Sequence, residues 1–322
     1  MSVPAFPGPP RDLIGYGPTP PHPQWPNNAK IAVSFVINYE EGGEYSLTNP
    51  GDTHSETYLS EIPSQTRRDR ARNTNVESEY EYGSRAGIWR LLKVFEATGF
   101  KGTVYAVGRA LELNPLVAPK FRDAGWELSS HGWRWIDYAT YSREDERRDI
   151  EKCVDLFTAQ AGRAPPGWYV GRLSPYSHDL IREIYHERGL ALSWLSDAYN
   201  DDLPYYQPNT QDGRDATLII PYSLDCNDFK FFMPNNWSSP DDFYQYLVSA
   251  FDQLYEEGEQ GTPKMMSIGL HPRISGRPGR VGAMKQFVEY VKGKEGVWVA
   301  TREEIARHWR DVHPCKQEAK QT

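Results

Sequence analysis

The sequence predicts an α/β fold in which short parallel strands alternate with amphipathic helices and curl into an open or closed barrel. Three observations carry this expectation. Eight short apolar or β-branched runs recur along the 322 residues, each ended by polar residues, as strands buried on both faces are. Helical stripes with capping residues stand between several of them. Strands that alternate with helices pair in parallel, because the helix supplies the long return connection that parallel neighbours need.

Taken in order, residues 1–27 hold nine prolines, in runs such as PGPP and PTPPHP. Proline lacks the backbone N–H and fixes φ, so this segment builds neither helix nor central strand. It is read as an N-terminal arm, followed by one domain over 28–313 and a tail over 314–322. The strands are KIAVSFVIN (30–38), GTVYAVG (102–108), WELSSHG (126–132), GWYVGR (167–172), LSWLSD (192–197), TLIIPYS (217–223), MMSIGLH (265–271) and GVWVAT (296–301). Among the helices, SRAGIWRLLKVFEATG takes Ser84 as its N-cap, buries Ile88, Leu91, Leu92 and Phe95, and stops at Gly99. YSREDERRDIEKCVDLFTAQAG takes Ser142 as N-cap, with Glu146 near the capping-box position and Ile150, Val154 and Phe157 as its stripe. SPDDFYQYLVSAFDQLYEEG and VGAMKQFVEYVKGK repeat the pattern. From Gly42 to about Tyr80 no periodicity is found, and so long a connection is a lid, an interface element or disorder.

Composition narrows the function. A net charge of -8 and a pI near 5.6 argue against nucleic acid or an anionic membrane as partner, since both demand a basic surface. RRDRAR (67–72), interrupted by Asp69, reads as a solvated loop. Cys153, Cys226 and Cys315 show no C-x-x-C spacing and fit a reduced compartment. With no signal peptide and no run of 18 apolar residues, the expected location is the cytoplasm. Aromatic residues at 13% point to extensive packing or subunit interfaces. The phosphate-binding glycine motifs and the G-x-S-x-G elbow are absent, which removes nucleotide chemistry and the commonest serine hydrolases.

In such barrels function gathers at the C-terminal ends of strands. Those ends carry Asn38, Glu40 and Glu41, then His131, Arg172, Asp197, Tyr222 with Asp225, and His271. Carboxylates, imidazoles and a guanidinium around one cavity make a hydrolase inventory. Neighbouring strand residues face opposite ways, so Glu40 and Glu41 both turn inward only if the strand has ended; their repulsion then raises one pKa toward neutrality. In LSSHGWRWIDY the residue four after His131 is Trp135, which offers no lone pair to a metal.

RDLIGYG, SFVINYEEGGEYS, ESEYEYGSRAGIWRLLKVF, SHGWRWIDY, GWYVGR, SDAYNDDLPY, SIGLHPRISGRP and IARHW together resemble the polysaccharide deacetylase (NodB-homology) superfamily, and most of all its cofactor-independent allantoinase branch. The resemblance implies a distorted (β/α) TIM-like barrel that hydrolyses C–N bonds, here the hydantoin ring of (S)-allantoin. It maps the acidic pair onto Glu40 and Glu41, the two metal-binding histidines onto His131 and Trp135, the arginine motif onto Arg172 with Pro175, the fourth motif onto Asp197, and the last histidine onto His271. Glu41 and His131 supply at most two metal ligands where a catalytic zinc wants three. No metal is therefore expected, the alternatives being zinc at Glu41 and His131 or a ligand recruited from Asp137 or His271. The implied roles are Glu40 or Glu41 as base, His131 and His271 as polarising group and acid, and Arg172, Trp135 and Asp197 as substrate-binding residues. A small-molecule substrate and a homo-oligomer, a tetramer, are also implied. The competing readings are an N-deacetylase of a chitin-type polymer, supported by the Arg-x-x-Pro element in GRLSPYS, and a catalytically silent binding protein.

Overall fold

The computed structural model describes residues 11–61, 68–209, 216–233 and 237–315. Strand β1 (Ile31–Tyr39) is buried along its whole length. After the two-stranded ribbon β2 (His54–Ser55) and β3 (Arg68–Asp69) come α1 (Thr74–Tyr82) and α2 (Ile88–Thr98), then β4 (Thr103–Ala106), α3 (Gly108–Leu113), α4 (Val117–Asp123) and β5 (Glu127–Ser130). The chain continues through α5 (Arg143–Ala161), β6 (Gly167–Trp168), α6 (Ser177–Glu187), β7 (Trp194–Leu195), β8 (Tyr205–Pro208) and β9 (Ala216–Ile219). It ends with α7 (Pro240–Glu259), β10 (Lys264–Leu270), α8 (Val281–Lys292), β11 (Val297–Val299) and α9 (Arg302–Val312).

The main sheet runs β10-β1-β4-β5-β6-β7-β9-β8, with β11 also on β1. Every pairing in it is parallel except β8 with β9. Between the β9 side and β10 the only recorded bridge among the described residues is Asn227 to Gly269, so the expected barrel is curled but not closed by a full ladder. None of the described helices is long and apolar enough to cross a membrane.

Several local expectations need correction. Ser84 is not an N-cap: α1, a π turn at Gly83–Gly87 and α2 form one helical run from 74 to 98. The Ser84 hydroxyl is held sideways by Tyr39 at 2.7 Å and by the Asn114 amide at 2.9 Å. The helix α1 escapes a reading of periodicity because TNVESEYEY buries only Val76 and Tyr80, too narrow a stripe to register. In α5 the Ser142 cap accepts the Asp145 N–H, while Glu146 is buried and accepts the hydroxyls of Ser174 and Ser177. GWYVGR pairs as a strand only at Gly167–Trp168. Near the arm, Trp25 is buried against Trp298, His308 and Trp309.

The barrel interior is aromatic and is closed from below by one cation. Arg302, fully buried at the start of α9, donates from Nη2 to the Pro221 carbonyl at 2.8 Å, from Nη1 to Ser267 Oγ at 3.3 Å and from Nε to the Tyr105 hydroxyl. Its guanidinium also lies 5.5–5.9 Å from the ring centres of Tyr105, Trp194 and Tyr222. Replacing it leaves a buried carbonyl and two hydroxyls without their donor. Arg302→Met is therefore expected to lower stability by about 3 kcal/mol, read from urea unfolding; a loss under about 1 kcal/mol would show that the plug is dispensable.

Candidate active site

The site grows from the end of β1. The strand stops at Tyr39, and the Gly43 N–H turns back onto the Glu40 carbonyl at 2.8 Å. Because pleating has ended, Glu40 and Glu41 are both buried, at 1% and 3% exposure. Glu40 is the hub: Oε1 lies 3.1 Å from His131 Nε2 and 3.3 Å from His271 Nε2, and Oε2 accepts from Arg273 Nη2 at 2.6 Å. Burial opposes its ionisation, but the Arg273 guanidinium and the two imidazoles outweigh that and hold its carboxyl well below the usual range.

Glu41 is in a different electrostatic state. Its Oε2 accepts the Glu40 N–H at 3.0 Å, while Oε1 has no hydrogen-bond partner and lies 3.6 Å from Arg273 Nη1. Burial, with the charge of Glu40 added, pushes its pKa up to about 7 against the pull of Arg273. Glu44, whose Oε2 accepts the Gly42 N–H at 2.7 Å, is pushed up to about 7 by burial as well. The π turn serves this corner. A Cβ on Gly83 would lie 2.1 Å from Glu41 Oε1, and one on Gly87 would lie 2.0 Å from the Pro272 carbonyl oxygen, so only glycine lets the helix approach.

The two imidazoles are oriented from behind. His271 Nδ1 lies 2.6 Å from Asp228 Oδ1, and Asp228 Oδ2 accepts the N–H groups of His271 at 2.7 Å and Ser275 at 3.2 Å. Burial works against the imidazolium, but Glu40 and Asp228 raise the His271 pKa above its ordinary value. His131, after β5, packs its ring edge on Tyr169 at 4.9 Å, and its Nδ1 has no hydrogen-bond partner.

Trp135 forms a wall. Its ring is parallel to that of Phe229, 7° apart with centroids at 6.1 Å, and Tyr58 and Tyr80 approach it at 6.3 and 6.0 Å. The guanidinium carbons of Arg172 and Arg273 lie 4.0 and 5.0 Å from its centroid. The other strand-end residues sit further out. Asp197 accepts the N–H groups of Val170 and Gly171 at 2.8 and 2.6 Å and meets His178 Nε2 at 3.1 Å, so it fixes the loop that carries Arg172. Tyr222 bonds Asn38 at 2.9 Å inside the barrel. Asp225 pairs with Lys230 on the surface, and Asp137 caps the exposed turn at Ala139.

Arg273, Asp228, Tyr58 and Phe229 join the site without standing out in the sequence. Arg273 carries a faint signal, two residues after a strand-end histidine. Asp228 and Phe229 follow the cap residue Asn227 in a short 3-10 turn, and Tyr58 lies in the aperiodic stretch after Gly42.

The fold raises the question of a metal, and the residues do not fit one. Among the described residues no three His, Cys, Asp or Glu side chains are grouped as ligands. Glu40, His131 and His271 converge, but both imidazoles already engage one oxygen and the Arg273 cation takes the other. Asp137 is turned to the surface and supplies no replacement ligand.

The raised carboxyl of Glu41 sets a pH dependence of stability. A folded pKa of about 7 against 4.5 unfolded means that its contribution is full below about pH 4.5 and is lost as pH rises through about 7, on the order of 3 kcal/mol. Glu41→Gln removes this decline. In urea unfolding the variant should gain on the wild type between pH 5 and pH 8; parallel curves for the two proteins would refute the shifted carboxyl.

Comparison with known proteins agrees with this geometry. Residues 69–192 match the Polysaccharide deacetylase family. A Schizosaccharomyces pombe protein provisionally described as a polysaccharide deacetylase is 45% identical over 95% of this chain and 98% of its own. The crystal structure of Puue allantoinase superposes with a TM-score of 0.89 at 47% identity, covering 95% of this chain and 99% of that one. A Pseudomonas aeruginosa protein, also provisionally described as a polysaccharide deacetylase, gives 0.89 at 46% identity over 95% and 100%. With its curled parallel sheet and its acid, histidine and arginine positions gathered at the strand ends, the chain belongs to the polysaccharide deacetylase family of hydrolases.

Proposed function

We propose that the chain opens the hydantoin ring of (S)-allantoin by hydrolysing a ring amide C–N bond, giving allantoate. The observation that carries this reading is the aromatic wall at Trp135, with Phe229 parallel to it and two guanidinium groups against it. A flat ring with polar edges is the ligand that stacking surfaces and guanidinium donors recognise best. The likeness to an allantoinase over nearly the whole chain supports it.

Hydrolysis of an unactivated amide needs a base for water, a partner for the developing oxyanion and an acid for the departing nitrogen. Glu40, ionised at neutral pH and lying between two imidazoles, takes the proton of the attacking water. His271, whose protonated form Glu40 and Asp228 favour against the cost of burial, donates to the departing ureido nitrogen. His131 orients Glu40. Arg172, fixed over Trp135 by the loop that Asp197 anchors, binds the ureido arm.

A second reading, N-deacetylation of a chitin-type polymer, has the descriptions of two close relatives in its favour. Against it stands the aromatic lining, in which Tyr58 joins Phe229 at 5.5 Å and Trp135 at 6.3 Å, a surface suited to a flat ring.

The deciding experiment incubates EDTA-treated protein with (S)-allantoin and follows allantoate, in parallel with acetate release from chitin oligomers given zinc or cobalt. Turnover of allantoin with EDTA present is expected; turnover confined to the oligomers with metal would defeat the reading. Glu40→Gln and His271→Gln are each expected to lower kcat by about 10²–10⁴-fold. Full activity in either would remove that residue from the chemistry. Activity should fall as His271 loses its proton, at a pH higher than an ordinary imidazole would set, because Glu40 and Asp228 raise its pKa.

A further inference from the structure

We propose that Arg273 is the residue that polarises the scissile carbonyl and holds its oxygen as negative charge develops there. The inference rests on the ring-opening reading above and adds to it the electrophile.

Three deeply buried arginines among the described residues allow a comparison. Arg302 donates from Nε, Nη1 and Nη2 to a hydroxyl, a hydroxyl and a carbonyl. Arg134 donates from Nε to the Gly43 carbonyl and from Nη2 to the Glu44 carbonyl and Asp52. Both are fastened as structural arginines are. Arg273 is equally buried, at 1% exposure, yet only Nη2 is engaged, on Glu40; Nε and Nη1 have no hydrogen-bond partner. Leaving buried cationic N–H groups unpaired is costly, and such donors mark a place where an acceptor is meant to arrive.

The surroundings name the acceptor. Glu41 Oε1, 3.6 Å from Nη1, and His131 Nδ1 are likewise without a hydrogen-bond partner, on two residues that flank Glu40. Aromatic rings of Tyr80, Trp135 and Phe229 surround the guanidinium at 4.6, 5.0 and 5.6 Å, which excludes water and strengthens its field. A carbonyl oxygen of a ring stacked on Trp135 fits these donors. In the addition step the water oxygen bonds to the carbonyl carbon, its proton passes to Glu40, and the C=O pair moves to the oxygen facing Arg273. In the collapse that pair returns, the C–N bond breaks, and the nitrogen takes its proton from His271. One guanidinium then binds both the base and the oxyanion.

The test compares Arg273→Ala with wild type, and Arg273→Ala/Glu41→Gln with Glu41→Gln; the second pair guards against failure to fold when a buried carboxylate loses its counter-charge. Folding is checked by circular dichroism and melting, and kcat and KM for (S)-allantoin are measured with and without added ethylguanidinium. The expected result in each pair is a kcat lower by about 10²–10³-fold with KM within a few-fold, and saturable recovery of kcat by ethylguanidinium but not by ethylammonium. Folded variants that keep kcat within about fivefold, or whose stability but not kcat is restored by ethylguanidinium, would overturn the proposal and leave the allantoinase reading intact. A wild type that opens no allantoin would instead overturn that reading, and the same kcat comparison, made on whichever substrate the wild type turns over, would then decide the role of Arg273.

Discussion

The contact between Glu40 Oε2 and Arg273 Nη2, 2.6 Å long and sealed from solvent, is the constraint around which the site is arranged. A carboxylate buried without a partner would neutralise itself, and a buried guanidinium without one would be more costly still. The pair exists because β1 and β10 are parallel neighbours in a fixed register, Ile37 beside Leu270. Three residues past Ile37 is Glu40; one and three past Leu270 are His271 and Arg273. A slip of that register would separate Glu40 from both His271 and Arg273, which ties the site to two buried neighbouring strands.

Around this pair the charges are unequal, and the inequality explains the protonation pattern. Glu40, Glu41 and Glu44 are all buried near one guanidinium. Arg273 contacts Glu40 directly and Glu41 only at 3.6 Å. So Glu40 remains ionised while Glu41 and Glu44 are pushed toward neutrality by burial. A divalent cation would compete with Arg273 for the same oxygens, and the ring of Trp135, which carries no lone pair, completes no ligand set. The site balances its negative charge with a side chain and with protons.

Much of this is legible in the sequence, for a definable reason. Apolar runs mark where strands end, so Glu40, His131, Arg172 and His271 can be grouped as neighbours from their spacing along the chain, and Trp135 shows as a wrong residue at a known spacing. What stays hidden lies beyond strand ends. Arg273 and Asp228 sit in turns whose direction depends on tertiary packing. The helix α1 has too few apolar residues to announce itself, and its fusion with α2 through a π turn replaces the expected cap at Ser84. Asp197 is visible as a strand-end acid, but the use of its oxygens to hold backbone emerges only in three dimensions.

The aperiodic segment after Gly42 is the least readable part of the chain and has a close hold on the site. It is fastened at its root: the Trp135 N–H and Arg134 Nε both donate to the Gly43 carbonyl, at 2.9 Å each, and Arg134 Nη2 pairs with Asp52 at 2.6 Å. The same backbone oxygen therefore positions the aromatic wall and anchors the segment that brings Tyr58 over it. Loops attached in this way inherit the precision of the strands they leave. Here the segment turns Tyr58 toward Phe229 and Trp135, so it adds a further aromatic ring to the wall beside the strand-end residues.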